Sequence, residues 1–340
     1  MQVTTEVSPA AWDEFVASCH EATGYHRWAW RSVFGRGLQQ RTHYLAAVED
    51  GRIRGVLPSV EVRSWIFGRT LSSLPYVNYG GVLAQTKAAR SALLNGALEV
   101  AARRGLDDVL LRHVSKQFHD LPAQTHKVTL LMALQPDVES MWSALDRKVR
   151  NQIRKAEKSG VTVESGSLEL LDDFYRVFAR NMRDLGTPVY GRRLFETILS
   201  TFPLDARVYI GRVGPVAVAG ALSYRYGAVV EVPSASALRE HRASCPNHLV
   251  YWHIIRDAIA QGCTTFDFGR STPGDGTYHF KEQWGGVPHQ LWWECAGVKG
   301  PVKVDASPRD GRFQLGVDLW KRLPVSLATM LGPRIVRSVP

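Results

Sequence analysis

The chain has 340 residues, of which 45% are hydrophobic and 22% charged, with four cysteines. This length predicts two domains, and the composition excludes a disordered, collagen-like or disulfide-stapled chain. No run approaches the roughly 18 apolar residues needed to cross a bilayer. The polar, acidic segment Met1–Glu6 lacks the basic start and apolar core of a signal peptide, so we expect a cytoplasmic protein.

The net charge of +10 is concentrated in two places. Residues 147–158 carry six basic residues and one acidic residue, and the last twenty residues carry four basic residues and no acidic one. Each cluster favours an anionic partner, and the alternative is a solvated face that only aids solubility. The eleven histidines form neither His-Glu-x-x-His nor a Cys/His cluster, so no metal site is predicted.

In chain order, the first half predicts a helix, a hairpin, more strand-forming sequence, a second helix and a strand. Ser8 and Pro9 are residue types typical of the N-cap and the first position of a helix. Asp50-Gly51 between two apolar runs predicts a hairpin turn, and Gly105 ends a predicted helix. The predicted elements are a helix from Ser8, strands at 44–48 and 53–62, strand-rich sequence at 71–83, a helix at 88–104 and a strand at 108–112.

The second half repeats this order. Its predicted elements are a helix at 167–182, a hairpin of 207–210 and 216–224, a strand at 228–232, a helix at 249–260 and a strand at 264–268. The hairpin turns at Gly51 and Gly214 are 163 residues apart, and the helix-ending glycines Gly105 and Gly262 are 157 residues apart. Two different landmarks with nearly equal spacing indicate a duplication.

Helix, antiparallel hairpin, strand, helix and strand is the element order of the GNAT acyltransferase fold, in which two central strands part and leave a cleft for an acyl donor. We therefore predict an α/β protein (α+β, with mixed sheets) made of two tandem GNAT-like domains. The predicted boundaries are 1–145 for the first domain, 146–312 for the second and 313–340 for a basic amphipathic tail. Other α+β arrangements remain the alternative on pattern alone.

The second predicted domain begins with the most basic segment. Leu145, Val149 and Ile153 recur every four residues, as the buried stripe of a helix does. Guanidinium groups on another face suit phosphate oxygens, because they offer a planar fork of donors. The predicted anion-binding residues are Arg147, Arg150, Arg154 and Lys158. Nucleic acid, a nucleotide-sugar and a lipid pyrophosphate all carry phosphate groups that these residues could bind.

Several motifs carry a family resemblance. Arg147-Lys-Val-Arg-Asn-Gln-Ile-Arg-Lys-Ala-Glu-Lys-Ser-Gly160 resembles the interdomain basic motif of FemAB-type peptidyltransferases. Further motifs resemble the FemAB-like subgroup associated with exosortase/PEP-CTERM systems: Gly55-Val-Leu-Pro58, Tyr79-Gly-Gly81, Gly186-Thr-Pro-Val-Tyr190, Tyr251-Trp252, Phe266-Asp-Phe-Gly-Arg270, Phe280-Lys281, Trp284-Gly285, Leu319-Trp-Lys-Arg-Leu-Pro324 and Leu331-Gly-Pro. The resemblance runs from about His26 to the C-terminus. It implies two GNAT-like domains, and the better understood relatives transfer an amino acid from aminoacyl-tRNA to an amine of a peptidoglycan precursor.

The expected donor is aminoacyl-tRNA, with acyl-CoA as the alternative and no tightly bound cofactor. Acetyl-CoA-dependent GNAT enzymes hold the donor pyrophosphate with a glycine-containing loop at a helix N-terminus. The corresponding segment, Arg239–His248, contains no glycine. Glu231-Val-Pro-Ser234 and Cys245-Pro-Asn-His248 also depart from the subgroup pattern, which keeps both donors open. Asp275 stands where a P-loop needs lysine, which excludes nucleotide hydrolysis by the nearby glycine-rich loop.

The predicted catalytic residues are Lys281, Asp267 and Glu231, with His279 as a further candidate base. Lys281 occupies the lysine position of the family's Phe-Lys motif, which implies contact with donor phosphate or with charge that develops on the acyl group. One preorganised oxyanion donor contributes about 3–4 kcal/mol to such a reaction. The alternatives are a surface role for Lys281 and a loop-capping role for Asp267.

Predicted substrate-binding residues come from both halves. The resemblance places acceptor contacts after Gly186-Thr-Pro and at early His and Trp positions. Core packing is the alternative for Trp30 and Tyr251, and an ion pair with Asp267 or Asp275 is the alternative for Arg270. The full set is His26, Trp30, Tyr79, Tyr190, Arg192, Arg193, Tyr251, Arg270, Tyr278 and Trp284.

The tail mixes apolar residues with Lys321, Arg322, Arg334 and Arg337. A basic amphipathic stretch that contains tryptophan favours a membrane interface, and the alternative is packing on the second domain. We therefore expect peripheral contact with the inner face of the cytoplasmic membrane.

These patterns together predict a FemAB-like acyl- or aminoacyltransferase that modifies an amine of a cell-envelope or exopolysaccharide precursor. Its expected partners are that precursor, in lipid-linked form, and tRNA. The alternatives are an acyl-CoA-dependent GNAT N-acyltransferase and a non-catalytic scaffold that binds glycan or lipid pyrophosphate.

Overall fold

The computed structural model describes residues 1–65, 68–300 and 314–339. Within them the chain divides into two compact units. Unit 1 comprises residues 1–65, 68–127, 290–300 and 334–339, and unit 2 comprises residues 128–289 and 314–333. The predicted boundary at 312/313 falls outside the described residues, and the boundary at 145/146 stays a prediction.

Unit 1 is built on a mixed eight-stranded sheet with the strand order β1-β2-β3-β4-β6-β15-β7, in which β5 also pairs with β3. Its elements are β1 (Gln2–Thr4), α1 (Pro9–Ser18), α2 (Trp30–Ser32), β2 (Thr42–Glu49), β3 (Arg52–Ser64), β4 (Gly68–Ser72), β5 (Leu83–Ala84), α3 (Lys87–Arg103), β6 (Asp108–His113), β7 (Ala123–Gln124) and the late strand β15 (Trp292–Gly297). A hydrophobic core that includes Leu45, Leu93 and Val109 lies between α3 and the sheet.

Most local predictions for unit 1 are confirmed. The Ser8 hydroxyl accepts a hydrogen bond from the Ala11 amide at 3.1 Å, which caps α1, and Pro9 is the first helical residue. Asp50 and Gly51 have φ of 51° and 72°, as the tight hairpin turn between β2 and β3 requires.

The prediction that residues 71–83 are rich in strands is mostly wrong, because only the two ends of this stretch belong to strands. Leu74 and Tyr76 have φ of 49° and 73°. Left-handed backbone cannot continue a strand ladder, so the chain loops there instead.

Unit 2 is built on a mixed seven-stranded sheet with the strand order β14-β8-β13-β12-β11-β10-β9. Its strands are β8 (Val128–Ala133), β9 (Val161–Gly166), β10 (Ala206–Val213), β11 (Val216–Tyr226), β12 (Val229–Ala237), β13 (Thr265–Ser271) and β14 (Val287–Gln290). Its helices are α4 (Val138–Ala144), α5 (Arg147–Lys158), α6 (Leu171–Leu185), α7 (Arg192–Thr201), α8 (Pro246–Ala260), α9 (Gly276–Gln283) and α10 (Gln314–Arg322), and α11 (Val325–Val336) lies in unit 2 up to residue 333.

The two sheets share one pairing scheme, which confirms the predicted duplication. In each sheet an antiparallel hairpin, β2–β3 or β10–β11, is followed by a third antiparallel strand. That third strand then pairs in parallel with the next one over three residues only, β4 with β6 and β12 with β13. Each short parallel pair joins strands that a helix separates in the sequence, α3 or α8. The predicted mixed α/β fold with tandem GNAT-like sheets is therefore confirmed.

Within the described residues, no helix combines the length and the apolar character needed to cross a bilayer. In the same residues, no group of three or more His, Cys, Asp or Glu side chains is placed to hold a metal ion.

Candidate functional site

The candidate site lies in unit 2, where β12 and β13 separate. The parallel pairing ends at Glu231 and Asp267, which are directly opposite each other. Beyond this point β12 stays paired with β11 up to Ala237, while β13 pairs on its other side with β8 after a shift in register. The strands therefore part just after two buried carboxyl groups.

Asp267 is only 2% exposed and accepts two hydrogen bonds on the same oxygen. The Thr129 hydroxyl donates to Asp267 Oδ1 at 2.7 Å, and the Gly269 amide donates to it at 2.8 Å. Burial raises the pKa of Asp267 to about 7, although the Gly269 amide and Lys281 both favour the ionised form. This carboxyl group thus changes charge near neutral pH.

Lys281 projects from α9 and is 9% exposed. Its ammonium group donates to the main-chain oxygens of Gly269 and Arg270, each at 2.9 Å. Burial lowers the pKa of Lys281 to about 8, while Asp267 and Glu231 limit the fall and Arg270 adds to it. An ammonium group carries three N–H donors, and the third finds no acceptor among the described residues.

Gly269 links the two charged groups. Its amide donates to Asp267 and its carbonyl oxygen accepts from Lys281, so one residue fixes both side chains. Gly269 has a φ of 71°, in the left-handed region that favours glycine. The site is therefore set by main-chain geometry at the end of β13 as much as by side chains.

Other predicted residues of unit 2 pack beside this cluster. Tyr251 and Trp284 are buried in an aromatic layer with Phe268 and Phe280. The rings of Tyr251 and Phe268 stack at 5.8 Å, so the core alternative describes the position of Tyr251. Tyr278 is half-buried on α9, three residues before Lys281.

The basic helix α5 is confirmed as amphipathic. Val149, Ile153 and Ala156 are buried in the core against α8. All four predicted anion-binding residues lie off this stripe; Arg150 is half-buried and the others are exposed: Arg147, Arg150, Arg154 and Lys158. Among the described residues no carboxylate forms an ion pair with any of them. The Arg154 guanidinium lies over the Trp142 ring, 5.4 Å from its centroid.

The N-terminus of α8 offers few donors to a donor pyrophosphate. Arg239–Ser244 forms a 3-10 helix, and Cys245 caps α8 with a φ of 53°. Pro246 has no N–H, and the His248 amide donates to the Cys245 carbonyl at 3.1 Å. Of the first three residues of α8, Asn247 alone therefore retains a main-chain donor that is not used in this cap.

The residues near α7 that are predicted to contact the acceptor substrate differ in how far other protein groups already engage them. Arg192 forms ion pairs with Asp172 at 2.7 Å and with Glu196 at 3.3 Å. Arg193 is exposed, and the main-chain oxygen of Tyr190 accepts from the Tyr175 hydroxyl at 3.0 Å. Arg193 is thus the better placed of the two arginines to meet a ligand.

The predicted residues of unit 1 are buried. The Thr23 amide donates to Nδ1 of His26, which leaves Nε2–H to donate to the Gly81 carbonyl at 3.1 Å. Burial lowers the pKa of His26 to about 4, so the ring is neutral. Trp30 and Tyr79 are buried around Tyr25, with ring centroids 4.9 Å and 6.0 Å from it. These three residues thus support a loop around Gly81, and their substrate role stays a prediction.

Sequence reasoning missed Thr129, Gly269 and a buried pair in unit 1. Thr129 had a weak signal, as a polar residue inside the apolar run of β8. The pair is His113 and Glu294, whose Nδ1 and Oε2 atoms lie 2.6 Å apart. These two residues are 181 positions apart in the chain, so no local pattern could have joined them.

Comparison with known proteins supports this description. Residues 143–282 match a family model described as an Acetyltransferase (GNAT) domain. They contain α5, α8 and the four residues that we call the Lys281 cluster: Glu231, Asp267, Gly269 and Lys281. No curated protein matches the sequence.

Several solved structures share the fold at low sequence identity. FemX is 16% identical with a TM-score of 0.64, over 86% of this chain and 97% of FemX. L-PGS from Bacillus licheniformis is 12% identical with a TM-score of 0.56, over 95% of this chain and 99% of that one. A conserved protein of unknown function from Bacteroides thetaiotaomicron is 11% identical with a TM-score of 0.58, over 87% of this chain and 99% of that one. The chain therefore has a tandem GNAT fold like that of the FemX structure, and its residues 143–282 are similar to the GNAT acetyltransferase domain model.

Proposed function

We propose that this chain is an acyltransferase that moves an aminoacyl group from aminoacyl-tRNA to an amine of a cell-envelope or exopolysaccharide precursor. The observation that carries the proposal is the buried ammonium group of Lys281, held by two main-chain carbonyls beside Asp267 and Glu231 where β12 and β13 part. Acyl transfer is accelerated by a preorganised hydrogen-bond donor placed where negative charge develops on the acyl oxygen, and a buried ammonium group is such a donor.

Lys281 is the proposed catalytic residue. The acceptor amine attacks the ester carbon, a C–N bond forms, and the C–O bond to the ribose oxygen of tRNA breaks. Through its third N–H, Lys281 stabilises the oxyanion between these steps. The proton lost by the amine ends on the departing ribose oxygen, directly or through solvent.

Asp267 and Glu231 act through Lys281. Both are buried, and both favour the charged form of the lysine against the cost of burial. With a pKa of about 8, Lys281 is mostly protonated at neutral pH. We therefore assign the two carboxyl groups a positioning role and leave no separate general base in the mechanism, since the ester is already activated.

Two features support tRNA rather than acyl-CoA as the donor. Pro246 and the cap at Cys245 leave α8 without the row of free amides that binds a pyrophosphate at a helix N-terminus. The unpaired cations of α5 instead suit a phosphate backbone. The subgroup resemblance supports an envelope or exopolysaccharide precursor, lipid-linked or free, as the acceptor, and the exposed Arg193 is the proposed contact for its anionic groups.

Product mass after incubation with charged tRNA, acyl-CoA and candidate precursor amines tests the proposal. A mass gain equal to one amino-acid residue is expected with charged tRNA, and Lys281→Met should lower it by about a hundredfold or more. Lys87→Met, an exposed lysine on α3, is the matched control and should leave it unchanged. An acyl gain from acyl-CoA alone would select the CoA-dependent alternative, and binding without any product would select the scaffold.

A further inference from the structure

The C-terminal helices α10 and α11 expose large apolar side chains that acyl transfer does not explain. Their inner sides already pack on unit 2. The guanidinium group of Arg183 donates to the Leu323 carbonyl at 2.7 Å, and a side chain at Gly186 would collide with Val317. Trp320 and Ala328 are buried. The alternative interpretation of the tail, packing on the second domain, therefore describes one face of these helices.

Other large apolar side chains of these helices are exposed to solvent. Leu319 is 67% exposed, Leu327 40% and Met330 57%. Leu319 is followed three residues later by the exposed Arg322, and Leu327 is followed three residues later by Met330, so each pair shares one helix face. A surface helix that packs by one stripe needs no large apolar side chains on its solvent side. We call these four residues the outer tail face: Leu319, Arg322, Leu327 and Met330.

The charge of these helices indicates which kind of partner would bind the outer tail face. Together α10 and α11 contain Lys321, Arg322 and Arg334 against one acidic residue, Asp318. Aliphatic and thioether side chains flanked by arginine match the boundary between acyl chains and anionic headgroups. Each cation near such a surface contributes about 1 kcal/mol, or roughly a fivefold gain in affinity.

We propose that the outer tail face docks on a membrane that contains anionic lipid. The three apolar side chains enter the headgroup boundary while Arg322 stays at headgroup level. The helices lie on the bilayer and do not cross it. This inference does not rest on the proposed acyl transfer, because it concerns residues outside the Lys281 cluster.

Flotation of the full chain with vesicles tests the proposal. Wild type should float with vesicles of phosphatidylcholine and phosphatidylglycerol, and much less with phosphatidylcholine alone. The variant L319S/L327S/M330S keeps every charge and should bind at least about tenfold more weakly. Arg322→Gln should weaken binding about fivefold at low salt and little at high salt. The control L204S/V216S removes two other exposed apolar side chains and should float like wild type.

Two further measurements complete the test. Urea melts should show that the triple variant unfolds like wild type, since its three side chains are exposed. Independently of any variant, amides of residues 314–336 in the wild-type chain should gain protection from hydrogen exchange only with anionic vesicles. Flotation of the triple variant at the wild-type level would overturn the proposal. Loss of flotation in a variant that neutralises the basic residues of α5, with the outer tail face intact, would also overturn it. So would self-association through the outer tail face without vesicle binding.

Discussion

The hydroxyl of Thr129 should control the charge of Asp267. Thr129 is buried on β8, and its hydroxyl donates to Asp267 Oδ1 at 2.7 Å. Thr129→Val keeps the shape of the side chain but removes this donor. Oδ1 of Asp267 then accepts only the hydrogen bond from the Gly269 amide. A hydrogen bond to a charged group contributes about 1.5–3 kcal/mol and one between neutral groups about 1 kcal/mol. The difference raises the pKa of Asp267 in the variant by about one pH unit.

The sign of the pH effect follows from the pKa of Asp267. Its value of about 7 in the folded chain lies above the ordinary 3.8. Stability from the protonated carboxyl is therefore complete below the unfolded value and is lost as pH rises through about 7. At pH 5 the variant should lose only the neutral hydrogen bond, about 1 kcal/mol. At pH 9 it should lose about 0.5–2 kcal/mol more, because the ionised form is then left with fewer donors.

Urea denaturation at pH 5 and pH 9 measures both values. The matched control is Ser236→Ala, a buried hydroxyl that accepts from the neutral amide of Asn181 at 3.1 Å. Its loss of unfolding free energy should be the same at both pH values. Equal losses for Thr129→Val at pH 5 and pH 9 would refute the reasoning, since the hydroxyl would then not distinguish the ionised carboxyl from the neutral one.

Three other outcomes are expected. Replacing Arg147 and Arg154 by Gln should weaken tRNA binding and reduce the slope of log K against log salt by about 0.7–0.9 per phosphate contact, measured by fluorescence anisotropy; an unchanged slope would remove α5 from the interface. Gly81→Ala should destabilise unit 1 by about 1–3 kcal/mol in urea melts, because a Cβ there would overlap a buried imidazole, whereas Gly35→Ala, with nothing within 4 Å, should not destabilise it. Glu294→Gln should make the free energy of unfolding depend less on pH in the acid range. Burial raises the pKa of this carboxyl group, but its hydrogen bonds outweigh burial and hold the pKa below its ordinary value of 4.5. The stabilisation from the ionised carboxylate is therefore present above pH 4.5 and is lost as pH falls through the pKa of the folded protein. A variant with the wild-type acid transition would contradict this last assignment.

Local sequence signals predicted most helices and turns because each depends on near neighbours. Ser8 caps α1 through an amide three residues away, and Gly105 ends α3 with a φ of 63°. The apolar stripe of α5 was readable for the same reason, since helical period alone places Val149 and Ile153 on one face. The stretch 71–83 failed because a left-handed Leu74 and Tyr76 have no reliable signal in residue type.

The candidate site was predictable only in part. The Phe-Asp-Phe-Gly-Arg and Phe-Lys motifs pointed to Asp267 and Lys281, which the structure brings together through Gly269. Thr129 escaped because it is 138 residues from Asp267. Its importance comes from which strand lies beside β13, and strand neighbours are not encoded in a local pattern.

From sequence alone came the duplication, the mixed fold, the amphipathic basic helix and the lysine at the centre of the candidate site. These follow from periodicity, turn chemistry and motifs, which act over a few residues. Tertiary structure alone decided which distant strand pairs with the far side of β13 and of β6: β8 lies beside β13, and β15 lies beside β6. Pairing between distant strands depends on burying the apolar side chains of both strands at the same time, which no local pattern encodes. This pairing brings Thr129 into contact with Asp267 and Glu294 into contact with His113.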